Sequence, residues 1–405
     1  MHSYRLSEVP GFLDFIKTGT YEDEYGKYYF AHDYSTKANE KYSIVRYTKD
    51  YLTSDLVNVY GLMRSVILSG SKIVSFSPPK SLSAETFMTK YPLKNDAIIA
   101  EDFIEGTMIN VFYDTSYKCW QIATRNTVGA EVSFYKCSNK TFNQMFMEAC
   151  LANNFNIQIL NPRFCYSFVL QHPLNRIVVP FKTPQLYLVA VYEIAQTTDN
   201  IIVCEQDMAE VWLNGLWSQT SIKFPEVHSF TNYSELIEKF ASPNTPYDIL
   251  GIVLKNIETG ERTKIRNPIY EEIRQLRGNQ PKLQYQYLTL RHSGKLSEFL
   301  KFYPETKEEM SKFRDQVHMF TNALHKNYIS CYVKKEKPLK EFSDQYRTHM
   351  FKLHQIFIND LRPQNQFVTN TIVIRYVNDL HPSLLMYCLN YNMRKRLVDT
   401  IAANA

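Results

Sequence analysis

The spacing of apolar residues changes once along this chain, close to Pro281, and that change limits the folds the chain can adopt. Before this point, apolar residues come mostly in short runs rich in Ile, Val, Tyr and Phe, bounded by Asn, Asp, Pro and Gly, a pattern typical of β-strands. After it, apolar residues recur three and four positions apart, which is the period of an amphipathic helix. The sequence therefore predicts a mixed unit of strands and helices followed by an all-helical unit.

The same patterns give approximate positions for individual elements. Strands are predicted at 98–99, 108–113, 177–181, 186–192 and 249–254, with a strand pair within 59–81. Helices are predicted at 141–153, 207–215, 233–241, 307–325, 339–361 and 383–401.

Composition narrows the class of protein. A length of 405 residues suggests two or three domains, and 44% hydrophobic residues with 46 basic against 41 acidic side chains exclude a disordered or fibrous chain. There is no run near 18 apolar residues and no apolar leader after Met1, so we expect a soluble cytoplasmic protein without a membrane partner. Seven widely spaced cysteines without a C-x-x-C pair predict free thiols in a reducing compartment and no zinc site.

Charge is distributed unevenly between the two parts. Residues 281–405 contain 19 Lys and Arg against 11 Asp and Glu, and Arg394-Lys395-Arg396 lies near the C-terminus. This basic helical tail suggests a polyanion partner, with a basic solvated surface as the alternative.

Four segments carry a chemical pattern. Residues 59–81 contain Arg64 and end in Pro78-Pro79-Lys80-Ser81, and residues 98–113 contain Glu105-Gly106-Thr107, with Arg125 on the strand that follows. The third and fourth segments contain His172-Pro173-Leu174-Asn175-Arg176-Ile177-Val178, then Leu250-Gly251-Ile252-Val253 and Lys264-Ile265-Arg266.

In this order the segments resemble those of the covalent nucleotidyltransferases, most closely the ATP-dependent RNA ligases of the phage type. That family carries an Arg-Gly strand and a Pro-Phe-x-Lys segment, then K-x-D-G-[ST], T-[KR]-G-[ST], F-E-x-x-x-P-x-N-R-I-V, E-G-x-V and K-x-K. The resemblance covers roughly residues 45–290, and residues 105–110 and 264–268 also resemble ligase-like proteins of giant DNA viruses. It implies an α+β fold, with an antiparallel-rich nucleotidyltransferase core over 1–290 and an all-helical C-terminal domain over 291–405.

In that family the K-x-D-G lysine attacks the α-phosphate of ATP and forms a lysyl-AMP intermediate. Matching Glu105-Gly106-Thr107 to D-G-[ST] places Phe103 at the position of this lysine, and a benzyl group has no amine to form the bond. No lysine occurs from 95 to 117. Lys94 is the alternative nucleophile, although its distance to Thr124-Arg125 is nine residues too long for the family pattern.

The carboxylates of the family motifs are also replaced. Val169 stands at the glutamate of F-E-x-x-x-P and Leu250 at that of E-G-x-V, and neither supplies an oxygen ligand for Mg²⁺. The resemblance implies that the remaining residues bind nucleotide or RNA: Arg64, Lys80, Glu105, Gly106, Arg125, Arg176, Lys264 and Arg266. Surface or structural ion pairs are the alternative role for each cation.

The sequence thus predicts a catalytically inactive RNA-ligase-like protein of viral origin. We expect it to bind RNA or a protein partner through the inherited groove and the basic tail, without cofactor or metal, in the host cytoplasm or the virion. A working ATP-dependent RNA ligase, using ATP and Mg²⁺, is one alternative. A structural subunit of a viral assembly without RNA contact is the other.

Overall fold

The computed structural model describes residues 2–20, 23–134 and 140–394. The chain divides into two compact units, Met1–Arg274 and Gln275–Ala405. This division lies N-terminal to the boundary expected at residue 290, and the domain limits given above stay a prediction.

Strands occur in the first unit and form three sheets. In chain order they are β1 (Ser3–Arg5), β2 (Tyr29–Ser35), β3 (Lys41–Tyr47), β4 (Val66–Ser69), β5 (Lys72–Ser75), β6 (Ile98–Asp102), β7 (Thr107–Asp114), β8 (Cys119–Ala123), β9 (Phe164–Gln171), β10 (Gln185–Gln196), β11 (Ile201–Glu205), β12 (Val227–His228), β13 (Gly251–Asn256) and β14 (Arg262–Arg266). The sheets have the orders β1-β11-β10-β9-β7-β8, β12-β6-β13-β14 and β2-β3-β4-β5. Every pairing between these strands is antiparallel.

Helices lie between the strands and make up the second unit. They are α1 (Phe12–Thr18), α2 (Asp23–Gly26), α3 (Val57–Tyr60), α4 (Ala84–Lys90), α5 (Phe142–Ala152), α6 (Met208–Leu213), α7 (Tyr233–Phe240), α8 (Pro268–Arg277), α9 (Leu283–His292), α10 (Leu296–Phe302), α11 (Lys307–Tyr328), α12 (Asp344–Ile356), α13 (Asn370–Asp379) and α14 (Pro382–Leu389). The α-helices α11 and α12 each continue into one π-helical turn, Ile329–Val333 and Phe357–Leu361.

Apolar side chains that alternate along the strands form the core of the first unit. One face of the six-stranded sheet packs against the β2–β5 sheet, and the opposite face packs against α5. The third sheet packs one face against α4 and α7. Its other face carries Lys255, Arg262, Lys264 and Arg266, because successive side chains of a strand point to opposite faces.

The predicted α+β class is confirmed: antiparallel sheets precede a helical unit. Helix 141–153 is confirmed as α5, whose N-terminus has a capping box between Thr141 and Gln144. The strand predicted at 177–181 is wrong, because this segment has no sheet partner. The backbone N–H groups of Val178 and Val179 instead donate to the carboxylate of Glu105. Among the described residues, the helices are too short or too polar to span a bilayer.

Candidate functional site

Phe103 directly follows β6, and its ring is half-buried. The Nζ atom of Lys264 lies 4.6 Å from the centroid of this ring, and the guanidinium carbon of Arg266 lies 5.3 Å from it. Both cations are within the ~6 Å over which the face of an aromatic ring attracts a positive charge. The residue at the expected nucleophile position therefore supports two of the predicted phosphate-binding side chains.

Several more cations converge on this point. The pKa of Lys264 is lowered to about 6, first by burial and then by four nearby cations: Arg262, Arg64, Arg266 and Lys80. Burial, followed by the charge of Arg262, lowers the pKa of Arg64 to about 10. Burial also lowers the pKa of Lys80, with smaller contributions from other cations that include Arg125. We call this group the cation cluster: Arg64, Lys80, Arg125, Arg262, Lys264 and Arg266.

The positive charge of the cation cluster is only partly compensated. Arg266 forms an ion pair with Glu271, at 2.5 Å. Over the described ranges, no carboxylate lies within ion-pair distance of the other five members; Arg64 donates to the carbonyl of Pro78, and Arg262 keeps a buried Nε without a hydrogen-bond partner. Such an excess of partly buried charge costs free energy that a bound anion would offset.

Space for a ligand adjoins the cluster. A cavity of about 220 Å³ is lined by Lys80 and Arg262 together with Tyr4, Leu82 and Glu261. Glu261 is held by Lys90 at 2.6 Å and by the hydroxyl of Tyr91, so its carboxylate is already paired. The cationic part of the lining thus comes from the cation cluster.

The structure gives Glu105 and Gly106 contacts within the protein. The buried carboxylate of Glu105 accepts hydrogen bonds from the N–H groups of Val178, at 3.0 Å, and Val179, at 3.2 Å. Gly106 has φ +153°, and a Cβ there would come within 2.5 Å of the carbonyl oxygen of Leu170. These contacts hold the turn that positions Phe103, and a role of the two residues in nucleotide binding stays a prediction.

The remaining motif positions lie in the same unit. Val169 is buried on β9, with Met108 and Tyr187 as its cross-strand partners, and Leu250 is buried directly before β13. Neither side chain has an oxygen, so the two positions do not fit the Mg²⁺ ion that the resemblance implies. Arg176 donates from Nε to the carbonyl of Val178, at 2.9 Å, and thus contacts the segment that Glu105 holds.

Lys94 lies at the opposite end of β6 from Phe103. Its side chain is exposed, and its Nζ is 5.9 Å from the ring centroid of Phe230, a member of the core shared with α4 and α7. With roughly 3.3 Å per residue, five strand residues separate the two ends by about 17 Å. A role for Lys94 as the nucleophile stays a prediction with no supporting contact.

Sequence reasoning missed Arg262, although the signal was available. Arg262, Lys264 and Arg266 alternate with apolar or small residues on one strand, which places all three on one face. In the helical unit, Lys395 and Arg396 of the expected basic tail lie outside the described residues. Arg394 is described, and its guanidinium carbon lies 3.6 Å from the ring centroid of Tyr387.

The sequence of this chain is similar to those of several known proteins. No protein-family profile matches the chain. A protein named RNA ligase from Rhodothermus phage RM378 is 24% identical over 320 residues, covering 73% of this chain and 67% of the relative. This chain is therefore similar in sequence to a phage RNA ligase. An ICP-46 immediate-early protein homologue of Invertebrate iridescent virus 6 is 26% identical over 324 residues, covering 73% and 68%. The resemblance to RNA ligases and to viral proteins is confirmed; replacement of the catalytic residues stays a prediction.

Solved structures with weaker similarity are also ligases. A Naegleria gruberi RNA ligase shares 12% identity at a TM-score of 0.36, covering 48% of this chain and 57% of that chain. A protein from Aquifex aeolicus assigned as an ATP-dependent DNA ligase shares 13% identity at a TM-score of 0.39, covering 75% and 79%.

Proposed function

We propose that this protein binds RNA through the cation cluster and does not form a lysyl-nucleotide at residue 103. The observation that carries the proposal is the placement of Lys264 and Arg266 on the ring of Phe103. An aromatic ring there attracts cations but cannot react with a phosphate. The site therefore keeps the groups that bind a polyanion and lacks the group that would attack it.

The chemistry of the cluster favours phosphate over other anions. Arginine presents several N–H donors in a planar arrangement that matches phosphate oxygens, and lysine adds a point charge. Side chains from separate parts of the chain, including Arg64, Lys80 and Lys264, act on one another electrostatically. A chain of phosphates satisfies such a group better than a single carboxylate, because each phosphate accepts from more than one donor. The relative named RNA ligase supports RNA as the source of these phosphates.

The same residues support the catalytic inactivity that we propose. Phe103 offers no amine, and the apolar side chains of Val169 and Leu250 offer no oxygen to a metal ion. We expect the protein to act in the host cytoplasm or in the virion. We do not propose a protein partner or a purely structural role in a viral assembly, because no contact among the described residues favours either.

RNA binding is tested by fluorescence anisotropy with a labelled single-stranded RNA at several salt concentrations. The proposal expects affinity to fall steeply with salt, since phosphate contacts release counterions. Lys264→Met should weaken binding and lower the salt slope by roughly 0.7. Lys182→Met is the matched control, because Lys182 is exposed in the same unit. An RNA affinity that does not change with salt concentration, or an equal loss of affinity in both variants, would contradict the proposal.

A working ligase is the second candidate, and one observation favours it. Lys264 has a pKa of about 6 because of burial and neighbouring cations, so its amine is largely unprotonated at neutral pH, as a nucleophile must be. Its nitrogen would bond to the α-phosphorus of ATP while the bond from that phosphorus to the pyrophosphate oxygen breaks. The amine proton would pass to solvent.

Labelled ATP distinguishes the two candidates. After incubation with α-labelled ATP and Mg²⁺, a denaturing gel should show no labelled protein if the binding function is correct. A labelled band that disappears in Lys264→Arg and persists in Lys94→Arg would establish the second candidate with Lys264 as nucleophile. Loss of the band in Lys94→Arg alone would instead identify Lys94.

A further inference from the structure

Three metal-ligating side chains meet at the edge of the third sheet. Strands β6 and β12 pair so that Val227 is opposite Glu101 and His228 opposite Ala100. Continuing this register places Glu226 opposite Asp102, and the N–H of Asp102 donates to the carbonyl of Glu226, at 3.0 Å. One ligand atom from each of Asp102, Glu226 and His228 lies within 4.8 Å of the other two.

The charges at this edge are unbalanced. Two carboxylates, Asp102 and Glu226, face each other across an antiparallel pair, an arrangement that destabilises the pair of strands. Within residues 2–20, 23–134 and 140–394, no Lys or Arg forms an ion pair with either of them, and His228 Nε2 contacts Asp102 Oδ1 at 2.7 Å. Burial raises the pKa of the nearby Tyr187, and the charges of Asp102 and Glu226 raise it further.

Access and rigidity also suit a bound ion. Glu226 is exposed, and the side chains of Asp102 and His228 are 32% and 18% exposed, so an ion can enter from solvent. The imidazole of His228 packs against Phe240 of α7, with ring centroids 4.8 Å apart, which limits its rotation. The backbone pairing of β6 with β12 fixes the three positions before any ion arrives.

We propose that Asp102, Glu226 and His228 bind a divalent transition-metal ion of the Zn²⁺ or Mn²⁺ class. One imidazole nitrogen with two carboxylate oxygens favours these ions over Mg²⁺ and Ca²⁺, which prefer oxygen ligands alone. The ion replaces the hydrogen bond between His228 and Asp102 and neutralises the two facing carboxylates. The remaining coordination positions face solvent.

The site differs from the motif positions Val169 and Leu250, yet it is linked to the cation cluster through the chain. Asp102 directly precedes Phe103, the ring beneath Lys264 and Arg266. Tyr187, whose pKa is raised by the charges of both carboxylates, is the cross-strand partner of Val169. A bound ion would therefore fix the end of β6 and, with it, the position of Phe103.

Calorimetric titration of chelator-treated full-length protein with ZnCl₂ tests the proposal. We expect saturable binding of one ion and at least tenfold weaker binding of MgCl₂. Glu226→Gln, which keeps the size and removes the charge of an exposed side chain, should weaken Zn²⁺ binding at least tenfold. His228→Gln should weaken it further, whereas Glu258→Gln, which changes another exposed acid of the same unit, should leave it unchanged.

Cobalt substitution separates this site from the free cysteines. The described thiols include Cys119, Cys204 and Cys331, which are partly accessible and could capture zinc. Co²⁺ bound at Asp102, Glu226 and His228 should lack the near-ultraviolet charge-transfer band of thiolate ligation. That band, unchanged affinity in Glu226→Gln with an unaltered circular dichroism spectrum, or equal affinity for Mg²⁺ would each overturn the proposal. Loss of RNA binding alone would bear on the function proposed above and not on this site.

Discussion

The Nζ atom of Lys264 lies 4.6 Å from the centroid of the Phe103 ring, and burial with four neighbouring cations lowers the pKa of this amine to about 6. A partly buried ring attracts a cation by roughly 0.5–2 kcal/mol, which is small beside the repulsion within a group of unpaired charges. The contact therefore positions Lys264 without compensating it. A bound anion supplies the missing compensation, and this leads to the first prediction.

Lys264→Met should make the protein more stable and a weaker RNA binder. The substitution keeps most of the side-chain length and removes an amine that must give up its proton on folding at neutral pH, so we expect the free energy of unfolding to rise by about 1 kcal/mol and the melting temperature by ~2–4 °C. RNA affinity at pH 6 should fall about tenfold, because one charge-assisted hydrogen bond is lost. Calorimetry and anisotropy measure the two effects; a destabilised variant with unchanged affinity would contradict the role assigned to Lys264.

RNA affinity should depend on pH through Lys264. Its pKa in the free protein is about 6, and a bound phosphate raises that pKa. Affinity should therefore be nearly constant below pH 6 and fall as pH rises above it, because binding then requires uptake of a proton. Anisotropy with an RNA that has a 5′-hydroxyl avoids titration of a terminal phosphate. If Lys264→Met shows the same pH profile as the unmodified protein, another group is responsible.

Phe103→Leu should lower the stability of the protein without abolishing RNA binding by the cation cluster. The substitution removes two cation–ring contacts, each worth roughly 0.5–1 kcal/mol, and leaves an apolar side chain in place. We expect urea denaturation at about pH 5, where the Lys264 amine is mostly charged, to show a loss of about 1–2 kcal/mol while RNA binding survives. Phe367→Leu, at a side chain that is 73% exposed, should change stability by less than about 0.5 kcal/mol and serves as the control. Equal losses in both variants would show that the ring contacts contribute nothing.

Gly106→Ala should destabilise the first unit strongly. Its φ of +153° is unfavourable for any other residue, and the new Cβ would approach the backbone oxygen of Leu170 to 2.5 Å. We expect a loss of more than about 2 kcal/mol, measured by thermal unfolding. Gly294→Ala is the comparison, since Gly294 also has a positive φ, +70°, but open space around it, and should cost only ~1 kcal/mol. Similar costs at both positions would contradict the close approach.

The spacing of residues along the sequence correctly predicted those helices and strands that depend on neighbouring residues. The helix predicted at 141–153 is present as α5, and the change of period near Pro281 separates the sheets from the helical unit. The strand expected at 177–181 failed for a tertiary reason. Its N–H groups bond to Glu105, a side chain more than seventy residues away along the chain, and apolar spacing contains no trace of that contact.

In the candidate site, too, some residues were predictable from the sequence, whereas their contacts depend on the folded chain. Five of the six cluster members were predicted as binding residues by matching motifs, but the stacking of Lys264 and Arg266 on Phe103 depends on how β14 and the end of β6 meet. Glu226 and His228 were not singled out, because their partner Asp102 is more than a hundred residues away and is brought to them only by strand pairing. Charge alternation on β14 could have identified Arg262.

The tight packing around Gly106 has a counterpart at Gly251, where a Cβ would come within 2.1 Å of the carbonyl oxygen of Ile265. Both glycines lie in the segments that resemble ligase motifs, and at both positions the packing leaves no room for a Cβ. Selection for a folded chain is then enough to preserve these two glycines, whether or not the neighbouring side chains stay reactive. If residue 103 accepts no nucleotide, as proposed above, a genome survey that scores such signatures by their glycines would count this chain as an enzyme, and the side chain three places before the first glycine would be the better diagnostic.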